Sequence, residues 1–260
     1  VAATLAPALR VLEGRAIAAR RTFRSVVVSN AANPLLYLLA VGYGVGAVVD
    51  PGEAAGLPGG SYLAFLAPGL MVAVAMQLAA AESLWPVMVG LEWQKTYHAT
   101  IATPVRPRDI VLGHLGWVIC RAVLAGAIIG VVIVVFGVIE PLRALVAIPV
   151  GVLVATAFAG PIATFTALVR NGEALTTLFR FAIIPLFLFS GTFFPIDRLP
   201  DAVQPIAAVS PLWHGAELAR LAALGAPTTW PAAAHLAVLA GLTVVGGVAA
   251  ARVVGRVLRR

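Results

Sequence analysis

The sequence predicts an all-α integral membrane protein, and three observations carry that prediction. Of 260 residues, 61% are hydrophobic and only 11% charged, with mean hydropathy +0.99. Soluble domains run at roughly 45–50% apolar and about 25% charged, so this chain has more apolar surface than one soluble core can hide. The apolar residues fall into six stretches near the ~20 residues a helix needs to cross hydrocarbon. The bases are also one-sided. With the N-terminus inside, Arg10, Arg15, Arg20, Arg21, Arg24, Lys95, Arg106, Arg108, Arg170, Arg180 and the four tail arginines all fall inside, leaving Arg143, Arg198 and Arg220 outside and Arg121 within a span. That asymmetry is the positive-inside pattern, and it places both termini in the cytoplasm. It also explains the net charge of +7 without nucleic acid as a partner.

Residues 1–25 are basic and amphipathic. Leu5, Leu9, Leu12, Ala16, Ala19 and Phe23 recur at three- and four-residue steps, which places them on one helix face, with Arg10, Arg20, Arg21 and Arg24 mostly on its flank. The helix is expected to lie in the headgroup layer with its arginines on lipid phosphates, or else to pack on a partner protein. No early apolar core with a small-residue cleavage site follows it, so no cleavable leader is expected.

Span 1 is expected over 27–49, with Asn33-Pro34 near its start, where proline is tolerated. A turn-rich loop (50–61) leads to span 2 at 62–84, which places Glu82 at its far boundary; Trp85 and Trp93 suit an interfacial belt. Spans 3, 4, 5 and 6 are expected at 115–138, 145–168, 177–196 and 232–251. Cys120, the one cysteine, lies in an apolar run and is expected to be buried and inert.

Several chemistries are excluded by absence. The single lysine, Lys95, follows Gln94, so no phosphate-binding P-loop exists in this chain. There is no HExxH, no GxSxG and no His, Cys and acid cluster at metal-ligand spacing, and no metal site is expected. The spans lack midplane acids of the kind ion-coupled carriers use; Glu82 and Arg121 are the only charged candidates, both near an inner boundary. Arg121 is expected to snorkel to the headgroups. Gln77, Thr156, Thr164, Thr166, Ser190 and Thr192 suit helix–helix hydrogen bonds or a polar passage.

Two connecting segments stand out. GLEWQKTYHATIATPVRPRD (90–109) is too polar for the membrane and long for a helix connection. Pro104 and Pro107 end any helix in it, and Trp93, Tyr97 and Ile101 recur at four-residue steps, an aromatic face that needs a partner. The second segment, 195–230, is outside by charge yet mostly apolar, and Pro200, Pro205 and Pro211 cut it into pieces too short to span. Ser210 offers a cap and Pro211 a first turn for a helix over 211–224, with His214, Glu217 and Arg220 near one face. Short apolar helices of this kind are interfacial or re-entrant. Upstream, FLFSGTFFP reads as the outer end of span 5, with Gly191 allowing close packing and Pro195 breaking the helix.

FSGTFFPIDRLP followed by PLWHGAELAR resembles the signature region of ABC-2 type transporter permeases, in the branch of nodulation-type and daunorubicin-resistance-type exporters; Pro211, Leu212, His214 and Arg220 match its pattern. LEWQKTYHATIATPVRPRDIVLG looks like the first cytoplasmic loop of that branch. The resemblance implies one transmembrane domain over 1–260, in a multi-pass protein of the bacterial plasma (inner) membrane. It implies a partner ABC ATPase in two copies that carries the ATP and magnesium, so that this chain needs no cofactor and is not itself an enzyme. It also implies a second permease copy, identical or paralogous, and contacts with membrane lipids. The 90–108 loop becomes the coupling segment, with Glu92, Trp93, Tyr97, His98, Thr103, Pro104, Arg106 and Pro107 at the ATPase. Residues 197–228 become re-entrant outer helices, with Gly191, Phe194, Pro195, Asp197, Pro211, His214, Glu217 and Arg220 at an outer gate. Faces of spans 1, 2 and 5 would line a path for an amphiphilic or drug-like compound, a lipid or a lipid-linked glycan. The alternatives are an ion-coupled secondary transporter and, with His214, Glu217 and Arg220 as acid–base groups, a membrane enzyme or assembly factor.

Overall fold

The structure is a computed structural model, and it describes residues 2–21, 28, 32, 35–48, 52, 56–200 and 204–259. Arg24, Asn33-Pro34, Arg260 and much of the expected first span lie outside the described residues. Among the described residues the architecture is entirely helical. In chain order the elements are α1 (Ala2–Arg20), a π-helical segment (Leu38–Val45), α2 (Tyr62–Trp93), α3 (Thr96–Ile101), α4 (Pro107–Val135), α5 (Pro141–Val169), α6 (Gly172–Phe189), a 3-10 turn (Ile196–Arg198), α7 (Gln204–Val209), α8 (Pro211–Leu224) and α9 (Ala232–Val257). Five of these, α2, α4, α5, α6 and α9, are long and apolar enough to cross a membrane.

Expected spans 2 to 6 are present as α2, α4, α5, α6 and α9, and α2 and α4 are longer than the apolar runs alone suggest. α2 continues past residue 84 through a π-helical turn, Val89–Trp93, and α4 begins at Pro107 rather than near 115. Local capping sets these limits. Ser61 accepts from the Ala64 amide at 3.2 Å to start α2. At α4, Pro107 fills the first helical position and Asp109 reaches back to the Arg106 amide at 3.0 Å.

The centre of the bundle is α5, which packs against α2, α4, α8 and α9. Its crossing with α9 is a backbone contact. A Cβ on Gly160 would lie 2.5 Å from the Gly246 carbonyl carbon, and one on Gly246 would overlap the Pro161 ring. Small residues let helices approach this closely where no hydrophobic effect drives them together. Hydroxyls reinforce the packing: Thr156 and Thr243 join α5 to α9 at 3.2 Å, and Thr166 donates from α5 to the Ser83 carbonyl of α2 at 3.1 Å. Thr164 and Ser190 instead bond carbonyls of their own helices.

Burial is uneven. The most apolar window of α2 is 78% buried within the chain, whereas those of α6 and α9 are 17% and 22% buried. Of the spans that the resemblance places along a path, α6 therefore keeps an open apolar face, with Phe181, Leu188 and Phe189 exposed, while α2 spends most of its surface inside the bundle. Cys120 corrects an expectation: its thiol is exposed on the outside of α4, because the apolar run around it turns that side away from the bundle.

Candidate functional site

Two polar constellations sit at opposite ends of the bundle. At the basic end, α1, the 94–106 connection, the start of α4 and the end of α9 converge; Gly255 of α9 lies against Pro107.

The aromatic face expected over Trp93, Tyr97 and Ile101 does not form, because the chain reverses between the first two. Lys95 adopts a left-handed conformation (φ 51°), which ends α2 and starts α3 in a new direction. Trp93 is left at the tip of α2, 60% exposed. Tyr97 turns inward to 8% exposure, its ring against Gly90, where any Cβ would collide with it. The Tyr97 hydroxyl accepts from Arg15 Nη2 of α1 at 2.6 Å. Burial pushes this phenol up from its ordinary value while Arg15 opposes the shift, so it stays a neutral hydroxyl. Glu92 pairs with Arg170, the left-handed cap of α5, at 3.0 Å. His98, Thr103, Pro104 and Arg106 are exposed around the turn, and Pro107 opens α4. The coupling residues expected from sequence thus divide into an exposed set and a bracing set.

The N-terminal helix packs on its own chain, beside α4, with Ala8 buried, Ala8 and Val11 against Gly113, and Leu12 against Gly116. The glycines give α1 a flat seat that a period count on α1 alone does not reveal. Leu9 and Ile17, left over, are exposed. Arg10, Arg20 and Arg21 are exposed, and Arg24 lies outside the described residues.

Arg121 does not simply snorkel. Its Nη2 lies 3.5 Å from Glu82, which also accepts from Trp117 Nε1 at 3.1 Å. Since α2 runs on to Trp93, Glu82 lies about 16 Å from the end of that helix rather than at its boundary. Glu82 and Arg121, the two charges set deepest in α2 and α4, are partners. Sequence reasoning marked both and missed the pairing, together with Trp117 and the Arg15–Tyr97 bond.

At the opposite end, α8 forms over the expected residues, with Ser210 accepting from the Leu212 amide and Gly225 ending it in a left-handed cap. It packs into the bundle against α2, α5 and α9. Span 5 ends differently from expectation: α6 stops at Phe189, and the break falls at Gly191 (φ 73°), four residues before Pro195. Phe194, Pro195 and Asp197 lead into the 3-10 turn.

The three polar residues of α8 each take a separate task. Arg220 is buried and donates to the carbonyls of Gly191 (2.5 Å), Thr192 (3.3 Å) and Phe65 (3.2 Å), with its guanidinium 3.7 Å over the Phe65 ring. It supplies the chain ending α6 with the donors its last turn lacks. Glu217 lies 3.9 Å from Arg220 and accepts from the Thr229 amide and hydroxyl at 2.8 and 2.9 Å, tying α8 to the turn before α9. His214 meets His235 of α9, Nδ1 to Nδ1 at 2.8 Å, so one ring donates and the other accepts; Trp213 and Trp230 enclose the pair. None of these side chains faces another as acid to base around an open space, and the cluster reads as support.

Comparison with known proteins identifies the family. The profile of the ABC-2 type transporter family matches residues 8–224. The chain is similar to Nodulation protein J of Rhizobium leguminosarum bv. trifolii, 36% identical over 211 residues, or 81% of this chain and 79% of the relative. It is also similar to Nodulation protein J of Rhizobium meliloti (strain 1021), 35% identical over 201 residues, covering 77% and 75%.

Proposed function

The chain belongs to the ABC-2 type transporter family, and from that membership we propose that it is the permease of an ATP-driven exporter in a bacterial inner membrane. It is a multi-pass membrane protein and the membrane subunit of an ABC transporter, a family that works with an ABC ATPase. In the proposed assembly two permease copies, identical or paralogous, meet two ATPase copies, and the exposed apolar face of α6 contributes to the path. The cargo is an amphiphile: a drug-like compound, a lipid or a lipid-linked glycan.

The observation that carries the reading is the Glu92–Arg106 turn. It is braced from behind by Tyr97 on Arg15 and by Glu92 on Arg170, and it presents Trp93, His98 and Arg106 outward. A rigid mount with an exposed aromatic tip can transmit a push from a docked ATPase to α2 and α4 together. The opposite end suits a gate, since α8 is bound to the end of α6 through Arg220 and to α9 through His214.

Replacing Trp93 with alanine tests the reading. The variant should fold and reach the membrane, yet lose co-purification with its partner ABC ATPase and lose cargo-stimulated hydrolysis. Unchanged co-purification and transport would remove the coupling role.

A further inference from the structure

A cavity of about 1210 Å³ opens at the basic end between α1, the inner half of α2 and α4. Its walls include Arg10, Arg15, Glu82, Trp85, Trp117 and Arg121. It is larger than the ~300–1,000 Å³ of ordinary small-ligand pockets. The charge on its walls is unbalanced, with three guanidinium groups facing one carboxylate. Arg10 has no acceptor among the described residues, and the buried Nε of Arg121 finds no hydrogen-bond partner. A buried donor left open in this way costs stability unless something else fills it.

A second, smaller space of about 230 Å³ adjoins the first, sharing Ala19, Trp117 and Arg121. It continues past Ala16, Cys120 and Leu124, with Arg20 at its edge. Beyond it the outer side of α4 is apolar and open, with Ile119 and Val123 exposed. A cationic chamber therefore leads through a narrow apolar slot onto a surface that suits hydrocarbon.

We propose that this double cavity is a binding site for an anionic phospholipid. The phosphate of the headgroup takes Arg10 and the free face of Arg121, and Glu82 keeps the other face of that guanidinium. Arginine suits phosphate because its planar donors bind two oxygens at once. One acyl chain lies along the slot beside Trp117 and Cys120 and emerges on α4. The bound lipid fills the gap between α1 and the two spans and so joins α1 to α2, beside the Tyr97–Arg15 bond that ties α1 to α3. The site stands on the cavity and its charges, and it does not depend on which compound is exported.

Cys120, the only cysteine in the chain, makes the test direct. Full-length protein carrying a photoreactive benzophenone maleimide on Cys120 is placed in nanodiscs of equal phosphatidylglycerol and phosphatidylcholine, irradiated, and its lipid adducts are weighed. Both headgroups carry the phosphate, but the choline cation of phosphatidylcholine would be set among the three guanidinium groups, so phosphatidylglycerol adducts should exceed phosphatidylcholine adducts about tenfold. Arg10→Gln, an exposed change that leaves the fold intact, should bring the ratio close to one. Glu82→Gln, which frees the second face of Arg121, should raise it. Equal adducts in the unaltered chain, or a preference that survives Arg10→Gln, would overturn the proposal. So would loss of the preference on adding millimolar inorganic phosphate, because the cavity would then hold a free anion rather than a lipid.

Discussion

Arg220 and Arg121 are both arginines drawn into an apolar bundle, and the bundle treats them in opposite ways. Arg220 meets three carbonyls, a carboxylate and an aromatic face, with no space left around it. Arg121 meets one carboxylate at 3.5 Å and otherwise lines a void. A charge surrounded by protein donors and acceptors fixes geometry; a charge beside a cavity is available to something else. The difference separates a structural brace at the α8 end from a receptive site at the basic end.

The strongest way to break this comparison is Arg220→Met. It leaves the Gly191, Thr192 and Phe65 carbonyls without donors and Glu217 without its cation, which should cost about 3–5 kcal/mol. The expected outcome is loss of monodisperse protein on size-exclusion chromatography. A folded, active Arg220→Met protein would show that the clamp is dispensable.

Arg121→Gln should cost less, about 1–3 kcal/mol, because Glu82 keeps Trp117 and the cavity admits water. Combining it with Glu82→Gln should recover part of that loss, since the pair is replaced by two neutral amides. Thermal unfolding of the three variants in one detergent measures the coupling. A double variant no more stable than Arg121→Gln alone would deny the pair.

Tyr97→Phe removes one hydrogen bond and keeps the ring against Gly90, a loss of about 1 kcal/mol. Its sign should be local: faster amide exchange in α1, with little change in α5 or α9. Exchange that rises evenly through the bundle would mean that Tyr97 does not brace α1.

The smallest effect on stability belongs to Trp93→Ala, within about ±0.5 kcal/mol as for other exposed positions. Its unfolding temperature should match that of the unaltered chain, which makes a loss of ATPase binding specific.

Much of the fold is legible in the sequence where the signals are local. The Ser210-Pro211 start and the Gly225 end of α8 fall where cap chemistry places them, because both depend on residues within one helical turn. The same local logic fails at the end of α6. Pro195 is the louder breaker, but Gly191 takes the left-handed conformation first, and Arg220 stabilises the carbonyl that this turn exposes. At the basic end, Trp93 and Tyr97 sit at helical spacing, yet Lys95 reverses the chain between them. The four-residue period holds only while the helix does.

By itself the sequence determined that the chain is a membrane protein, where its main helices lie, and which end carries the bases. Those properties follow from apolar length, capping residues and charge counts, each a sum over neighbours along the chain. Only the tertiary structure decided which charges meet. Arg15 finds Tyr97 across 82 positions, Trp117 finds Glu82 across 35, and Arg220 finds Phe65 across 155. Those meetings depend on how closely the helices cross, and at Gly160 and Gly246 that distance is set by backbone against backbone. The same packing leaves one arginine enclosed and the other beside a cavity, a distinction that no count along the chain contains.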